Sequence, residues 1–206
     1  MQIKLDERLK AAASLVRAGS TVADIGSDHA LLACWLWQNG WTDIIASDIN
    51  PKPLESARKT AENCKAGIKL ILSDGFENLP LRDDIIIAGM GGETIAEILS
   101  NCKHKNENTR FILQPMTRHE VLRRELYLQG FEIISEMFAL SRNKPYTVIY
   151  ARFTGKAVQI NDAFAFTGKQ ENPVYISHQL NKIKKLAKGE PRYHAVAAEI
   201  EQKGKI

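Results

Sequence analysis

The chain has 206 residues, of which 44% are hydrophobic and 25% charged, and carries a formal net charge of +4. These proportions exclude a disordered or fibrous chain and suit one α/β domain of ordinary size with a small appendage. No apolar run approaches a membrane span, and Met1-Gln2-Ile3-Lys4 leads into an amphipathic helix rather than a signal peptide, so a cytoplasmic location is expected.

The first predicted helix covers residues 5–16, with Leu5, Leu9, Ala12, Ala13 and Val16 on one stripe and Arg8, Lys10 and Arg17 opposite it or at its C-terminal end. Strands and helices then alternate: strand 21–25, helix 30–38, strand 43–47, helix 51–65 opened by Pro51, strand 68–72, strand 84–88, helix 93–99, strand 110–113 and helix 118–129. Thr117-x-x-Glu120 reads as a capping box for the last of these. The alternation implies a parallel sheet wrapped by helices. After Gly130 two β-rich runs, 131–140 and 146–153, read as a hairpin joined by residues 141–145. The chain is then polar and mixed until Pro173. A helix with Ile176, Leu180, Ile183 and Ala187 as its apolar stripe follows, and a break at Gly189-Glu190-Pro191 precedes a last helix ending near Gln202. The two tail helices read as a small antiparallel pair, which gives a division into residues 1–155 and 156–206.

Charge divides along the same line. Residues 1–155 hold 19 Lys+Arg and 19 Asp+Glu, whereas residues 156–206 hold 9 and 5, so the tail supplies the whole excess. That excess reads either as a solvated helix face or as a polyanion-binding arm. Cys34, Cys64 and Cys102 are far apart and suggest neither a disulfide framework nor a metal site.

The chemistry concentrates at strand ends. The first strand runs into a turn with one glycine, Gly26, and then opens a helix, so backbone amides face a ligand. A dinucleotide pyrophosphate is disfavoured, because the three glycines it needs are missing and Asp28 sits where the anion would go. A ligand that is cationic or zwitterionic at that end and carries a nucleoside at the other fits better, and S-adenosylmethionine is of that kind. Asp48 at the second strand end can accept both ribose hydroxyls, and Asp74 at the third can accept from an adenine amino group. The plainer alternative is that Ser27 or Asp28 caps a helix, Asp48 caps the Pro51 helix and Asp74-Gly75 is a turn. After the fourth strand, Gly89-Met90-Gly91-Gly92 leaves backbone open to a planar base, or forms only a tight turn. After the fifth, Arg118, His119, Arg123 and Arg124 either flank the same crevice and hold phosphates or pair with Glu120 and Glu125 on a solvated face.

Taken together, Leu5-Asp6-Glu7-Arg8-Leu9, ADIGSDHA at 23–30, ASDIN at 46–50, SDGF at 73–76, IAGMGG at 87–92 and LQP at 113–115 resemble the bacterial TrmK family of tRNA (adenine-22 N1) methyltransferases over about residues 4–155. The resemblance implies an α/β class I S-adenosylmethionine-dependent methyltransferase domain, Rossmann-like with a mixed seven-stranded sheet in which one strand inserts antiparallel. It also implies a small C-terminal coiled-coil-like helical region. On that footing Asp24, Gly26, Ser27, His29, Asp48, Ile49, Asp74, Gly75 and Gly89 bind the cofactor, Asp28, Met90 and Gly91 serve the reaction, and Arg118, Arg123, Arg124, Lys184 and Lys185 contact tRNA. The family's LQP is usually followed by Asn; here Met116 stands there and carries no such polar group. The expected partner of a monomeric chain is tRNA, with no membrane and no metal. Competing readings are a methyltransferase of the same fold acting on another RNA, a protein or a small molecule, and a non-catalytic RNA-binding module.

Overall fold

Runs such as Val22–Ile25 and the first half of Asp84–Gly91 place apolar side chains at successive positions, a pattern that suits strands covered on both faces. The computed structural model, which describes residues 1–103 and 105–203, provides that cover. Strands β1 (Val22–Ile25), β2 (Ile44–Asp48), β3 (Lys69–Leu72), β4 (Asp84–Gly91), β5 (Arg110–Thr117), β6 (Phe131–Ser141) and β7 (Lys144–Phe153) form one sheet in the order β3-β2-β1-β4-β5-β7-β6. The first five are parallel, and β7 lies antiparallel between β5 and β6. This is the mixed seven-stranded arrangement expected above.

Helices α1 (Glu7–Ser14), α2 (Leu31–Gln38) and α3 (Pro51–Cys64) cover one face, where Ala12, Leu36 and Ala57 pack with Ile44, Ile86 and Ile112. Helices α4 (Gly92–Ser100) and α5 (His119–Leu128) cover the other, where Ile95, Leu99, Leu122 and Leu126 pack with Ile45, Ile87 and Phe111. Pro51 opens α3 as expected. The capping box at α5 does not form: Thr117 is still paired with Gly91 in the sheet, and Arg118 becomes the N-cap residue at φ +55° with no side-chain cap. The hairpin is also tighter than expected. Its strands run on to the Ser141–Lys144 pair, leaving Arg142 and Asn143 as a two-residue turn, both at positive φ, which matches the twist of the strands.

The tail holds one more helix than its periodicity predicted. Helix α6 (Asp162–Thr167) is too short to show an apolar period, although Asn161 announces it by accepting from the Phe164 N–H at 2.8 Å. Helices α7 (Pro173–Leu186) and α8 (Arg192–Lys203) join it around Ala163, Phe166, Ile183, Val196, Ala197 and Ile200. Cys34 and Cys64, distant in sequence, are brought thiol to thiol by α2 and α3; burial, with Cys64 beside it, pushes the Cys34 thiol up to about 12. Among the described residues no helix is long and apolar enough to cross a membrane.

Candidate functional site

The strand order reverses between β1 and β4, and in such a sheet a crevice opens beyond the carboxyl ends of the strands. A cleft of about 640 Å3 lies there. Gly26 follows β1 into it, Asp48 and Ile49 come from the end of β2, Ser73, Asp74, Gly75 and Phe76 follow β3, Met90 projects from β4, and Thr94, Glu97 and Ile98 supply the wall on α4. A side chain at Gly26 is disfavoured by its φ of +72°, and a Cβ there would also displace the Met90 methyl group.

The acids differ in environment. Asp24 is buried at the end of β1, with the Ser27 hydroxyl donating to its Oδ2 at 2.6 Å. Burial pushes its carboxyl up to about 6, and the Ser27 hydrogen bond pulls the other way. Asp48 accepts the Asn50 N–H at 2.9 Å through Oδ1, and no side chain caps α3, so the capping alternative falls. Asp74 does form a turn, its carbonyl accepting from the Glu77 N–H at 3.0 Å, while its exposed side chain still borders the cleft.

Ser27-Asp28-His29-Ala30 forms the adjoining turn. The first helical residues of α2 receive no side-chain cap, which removes the capping reading of Ser27 and Asp28. Asp28 and Ala30 both hold left-handed backbone, φ +41° and +52°. Such geometry in non-glycine residues costs roughly 1–3 kcal/mol each and tends to cluster at working sites. The Asp28 and His29 side chains are exposed, with 3.6 Å between Asp28 Oδ2 and His29 Nε2.

The structure therefore gathers Gly26, Asp48, Ile49, Asp74, Gly75 and Met90 on one cleft, sets Asp24 in β1 and Ser27, Asp28 and His29 on the turn beside it, and puts Gly89 and Gly91 within β4 rather than in a loop. Sequence reasoning missed the α4 wall, which no motif marks, and it missed Arg8. Instead of pointing outward, Arg8 reaches across to Gln114 Oε1 at 2.7 Å and Met116 Sδ at 3.0 Å.

The basic residues assigned to RNA fare unevenly. Arg123 is wholly buried in an ion pair with Glu136 at 2.6 Å, so it is unavailable to a phosphate; its neighbours on the helix carried no sign of that fate. His119 is likewise buried, with Tyr175 Oη 2.9 Å from its Nδ1. Burial, aided by the nearby Arg123, Lys182 and His178 charges, holds its imidazole down at about 3. Arg124 pairs with Asp162 and donates to the Ile160 carbonyl. Arg118 is exposed, 3.7 Å from Glu93 and 3.9 Å from Glu120. Lys184 pairs with Glu201 at 2.6 Å, and Lys185 is exposed.

A family model described as a methyltransferase domain matches residues 5–149. The tRNA (adenine(22)-N(1))-methyltransferase of Bacillus subtilis (strain 168) is 37% identical over 158 residues, covering 73% of this chain and 66% of that protein, just under two thirds of its length. The crystal structure of the B. subtilis m1A22 tRNA methyltransferase TrmK superposes with a TM-score of 0.81 at 27% identity, covering 99% of this chain and 97% of that one. The structure of M. capricolum TrmK in complex with the cofactor product S-adenosyl-homocysteine superposes with a TM-score of 0.78 at 28% identity, covering 96% and 95%.

Proposed function

The chain belongs to the methyltransferase domain family, and from that premise we propose that it transfers the methyl group of S-adenosylmethionine to N1 of adenine 22 in tRNA. The observation that carries the reading is the set of carboxylates at three consecutive strand ends, Asp48 and Asp74 lining the crevice and Asp24 buried in β1 beside it. Asp24 is the most telling of the three. A buried carboxylate whose only hydrogen-bond donor among the described residues is Ser27 is a poor structural element and a good seat for an ammonium group. The residues present thus fit the cofactor.

Asp24 would hold the cationic amino-acid end, Asp48 would accept the ribose hydroxyls and Asp74 would accept from the adenine amino group, with Ile49 and Phe76 supplying apolar wall in the same cleft. Gly26 lets the backbone come close, and Met90 closes the cleft over it. The cofactor supplies an electrophilic methyl group on a sulfonium. Adenine N1 is neutral and has a lone pair, so the protein needs no strong base, and catalysis is chiefly alignment and electrostatics. As the purine becomes cationic, Asp28, exposed on the turn beside Asp24, supplies compensating negative charge, with His29 next to it. A base inside folded RNA must be swung out to reach the methyl group, at a cost of roughly a few kcal/mol that contacts elsewhere offset. In this reading residues 1–155 form the catalytic domain, and residues 156–206, with Lys185 and Lys184 exposed, act with Arg118 as the RNA-holding part.

The test is incubation with unmodified tRNA and cofactor, followed by nucleoside mass spectrometry and primer extension. Appearance of 1-methyladenosine with a stop at position 22 is expected. Methylation of another nucleoside, or of none, would replace the reading.

A further inference from the structure

We propose that Arg8 is a positioning residue: acting through Gln114, it fixes the peptide of the β4 bulge at Gly89 and so sets the hydrogen-bonding edge that meets the methyl-accepting purine. The purine in this statement rests on the function proposed above, whereas the mechanical part stands on the geometry alone.

Along β4 and β5, Ala88 pairs with Gln114 and Met90 with Pro115, so Gly89 is the extra residue of a bulge. Its φ is +82°, and a Cβ added there meets nothing within 4 Å, which shows that this backbone faces open space. What holds it is a single side chain. The Gly89 N–H donates to Gln114 Oε1 at 3.2 Å, and Gln114 is fully buried.

An amide side chain can sit two ways round, and Arg8 decides which. Its Nη1 donates to the same Oε1 at 2.7 Å, while the Gln114 Nε2 donates to the Pro115 carbonyl at 2.8 Å. Turned over, the amide would oppose two donors with a donor and leave Pro115 without one. Arg8 is itself clamped. Asp6 accepts from its Nε at 3.1 Å and Nη2 at 2.6 Å, and the Tyr146 ring lies 5.5 Å from its guanidinium carbon. Asp6 also caps α1 by accepting from the Leu9 N–H at 3.0 Å, so the first turn of that helix becomes the anchor.

The consequence follows from peptide planarity. With the Gly89 N–H directed at β5, the Ala88 carbonyl on the same peptide is directed the opposite way, toward β1 and the crevice. Ser27, whose N–H a longer parallel ladder would offer that carbonyl, gives it to the Ser47 carbonyl instead, at 2.9 Å. An acceptor is thereby aimed where a purine amino group can meet it. Asp6 also offsets the Arg8 charge, so no uncompensated cation faces a base that is becoming cationic.

Amide hydrogen exchange on the full chain, followed by NMR, reads the mechanical part. In Arg8→Ala the Gly89 amide should exchange at least about tenfold faster while Ile87 within the strand is unchanged, with Arg8→Lys intermediate. In single-turnover methyl transfer Arg8→Ala should be at least about tenfold slower with cofactor affinity within about threefold of the parent, and Arg8→Lys should recover part of the loss. Gln114→Ala should be similarly slow, and the double variant no slower than the slower single. Unchanged Gly89 exchange, or additive losses in the double variant, would overturn the proposal. If the parent itself methylates no tRNA, the function above fails, and the exchange measurement still decides the role of Arg8. Should Arg8→Ala not fold, Arg8→Lys carries the same comparison.

Discussion

Two polar clusters lie near the same rim of the sheet and are built on opposite principles. At the end of β1 and in the turn after it, Asp24 is buried with one donor, Asp28 and Ala30 sit in left-handed backbone, and the Asp28 and His29 side chains stand in solvent. Between α5, β6 and the tail, the Arg123–Glu136 pair is answered on every side. Arg123 uses all five of its N–H groups, on Glu136, Tyr175 and the carbonyls of Ala165 and Phe166. Glu136 accepts also from Thr147, whose hydroxyl accepts from Gln170. Burial opposes the Arg123 charge, but Glu136 and Tyr175 more than offset it and raise its pKa above the ordinary value. Gly168 closes over the pair, at φ +61°, where a Cβ would run into both side chains. A cluster that is complete without a ligand locks the tail helices to the sheet; one that is incomplete leaves polar groups open to a ligand.

Three perturbations separate the clusters, taken from the largest expected effect to the smallest. Glu136→Gln leaves a buried guanidinium without its counter-charge, a change that typically costs roughly 3–5 kcal/mol. The melting temperature should fall by roughly 10 °C, and a parent-like melt would mean the pair holds nothing.

Asp24→Asn should act the other way. The native carboxyl titrates at about 6 against 3.8 for its ordinary value, so its contribution to stability is full below pH 3.8 and is lost as pH rises through 6. Above that pH the ionised form burdens the free protein by up to about 3 kcal/mol, and the Asn variant should be the more stable one by as much, with the gain fading toward pH 4. The same variant should bind S-adenosylmethionine at least about tenfold more weakly, measured by calorimetry at pH 7.5. His119 has the opposite sign: held near 3 against 6.5, it contributes stability above pH 6.5 that is lost as pH falls. Equal stability of parent and Asn variant at pH 7.5 would place Asp24 with the satisfied cluster.

Asp28→Asn isolates charge from structure in the open cluster. The side chain is exposed and caps no helix, so melting should be unchanged and cofactor affinity should stay within several-fold, while single-turnover methyl transfer slows by about a hundredfold. A rate within about threefold of the parent would shift the catalytic burden to the backbone of β4.

Much of this was legible in the sequence, and the physics says which part. Strand and helix alternation, the doubly covered apolar runs, Pro51 at a helix start and the acids at strand ends are local or periodic signals, and each signal survived into the structure. Because the crevice of such a sheet always lies beyond the strand ends, Gly26, Asp48 and Asp74 could be placed on it from order alone. The direction of a charged side chain carries no such signal. Arg8, Arg118, Arg123 and Arg124 look alike in the chain, yet one clamps a buried amide, one is exposed, one is sealed against Glu136 and one pairs with Asp162. What separates them is which distant segment arrives opposite: β5 for Arg8, β6 and the tail helices for Arg123, the start of α6 for Arg124. Sequence fixes a residue's charge and the period of its neighbours, while burial and pairing belong to contacts far apart in the chain, which exist only once the sheet has closed.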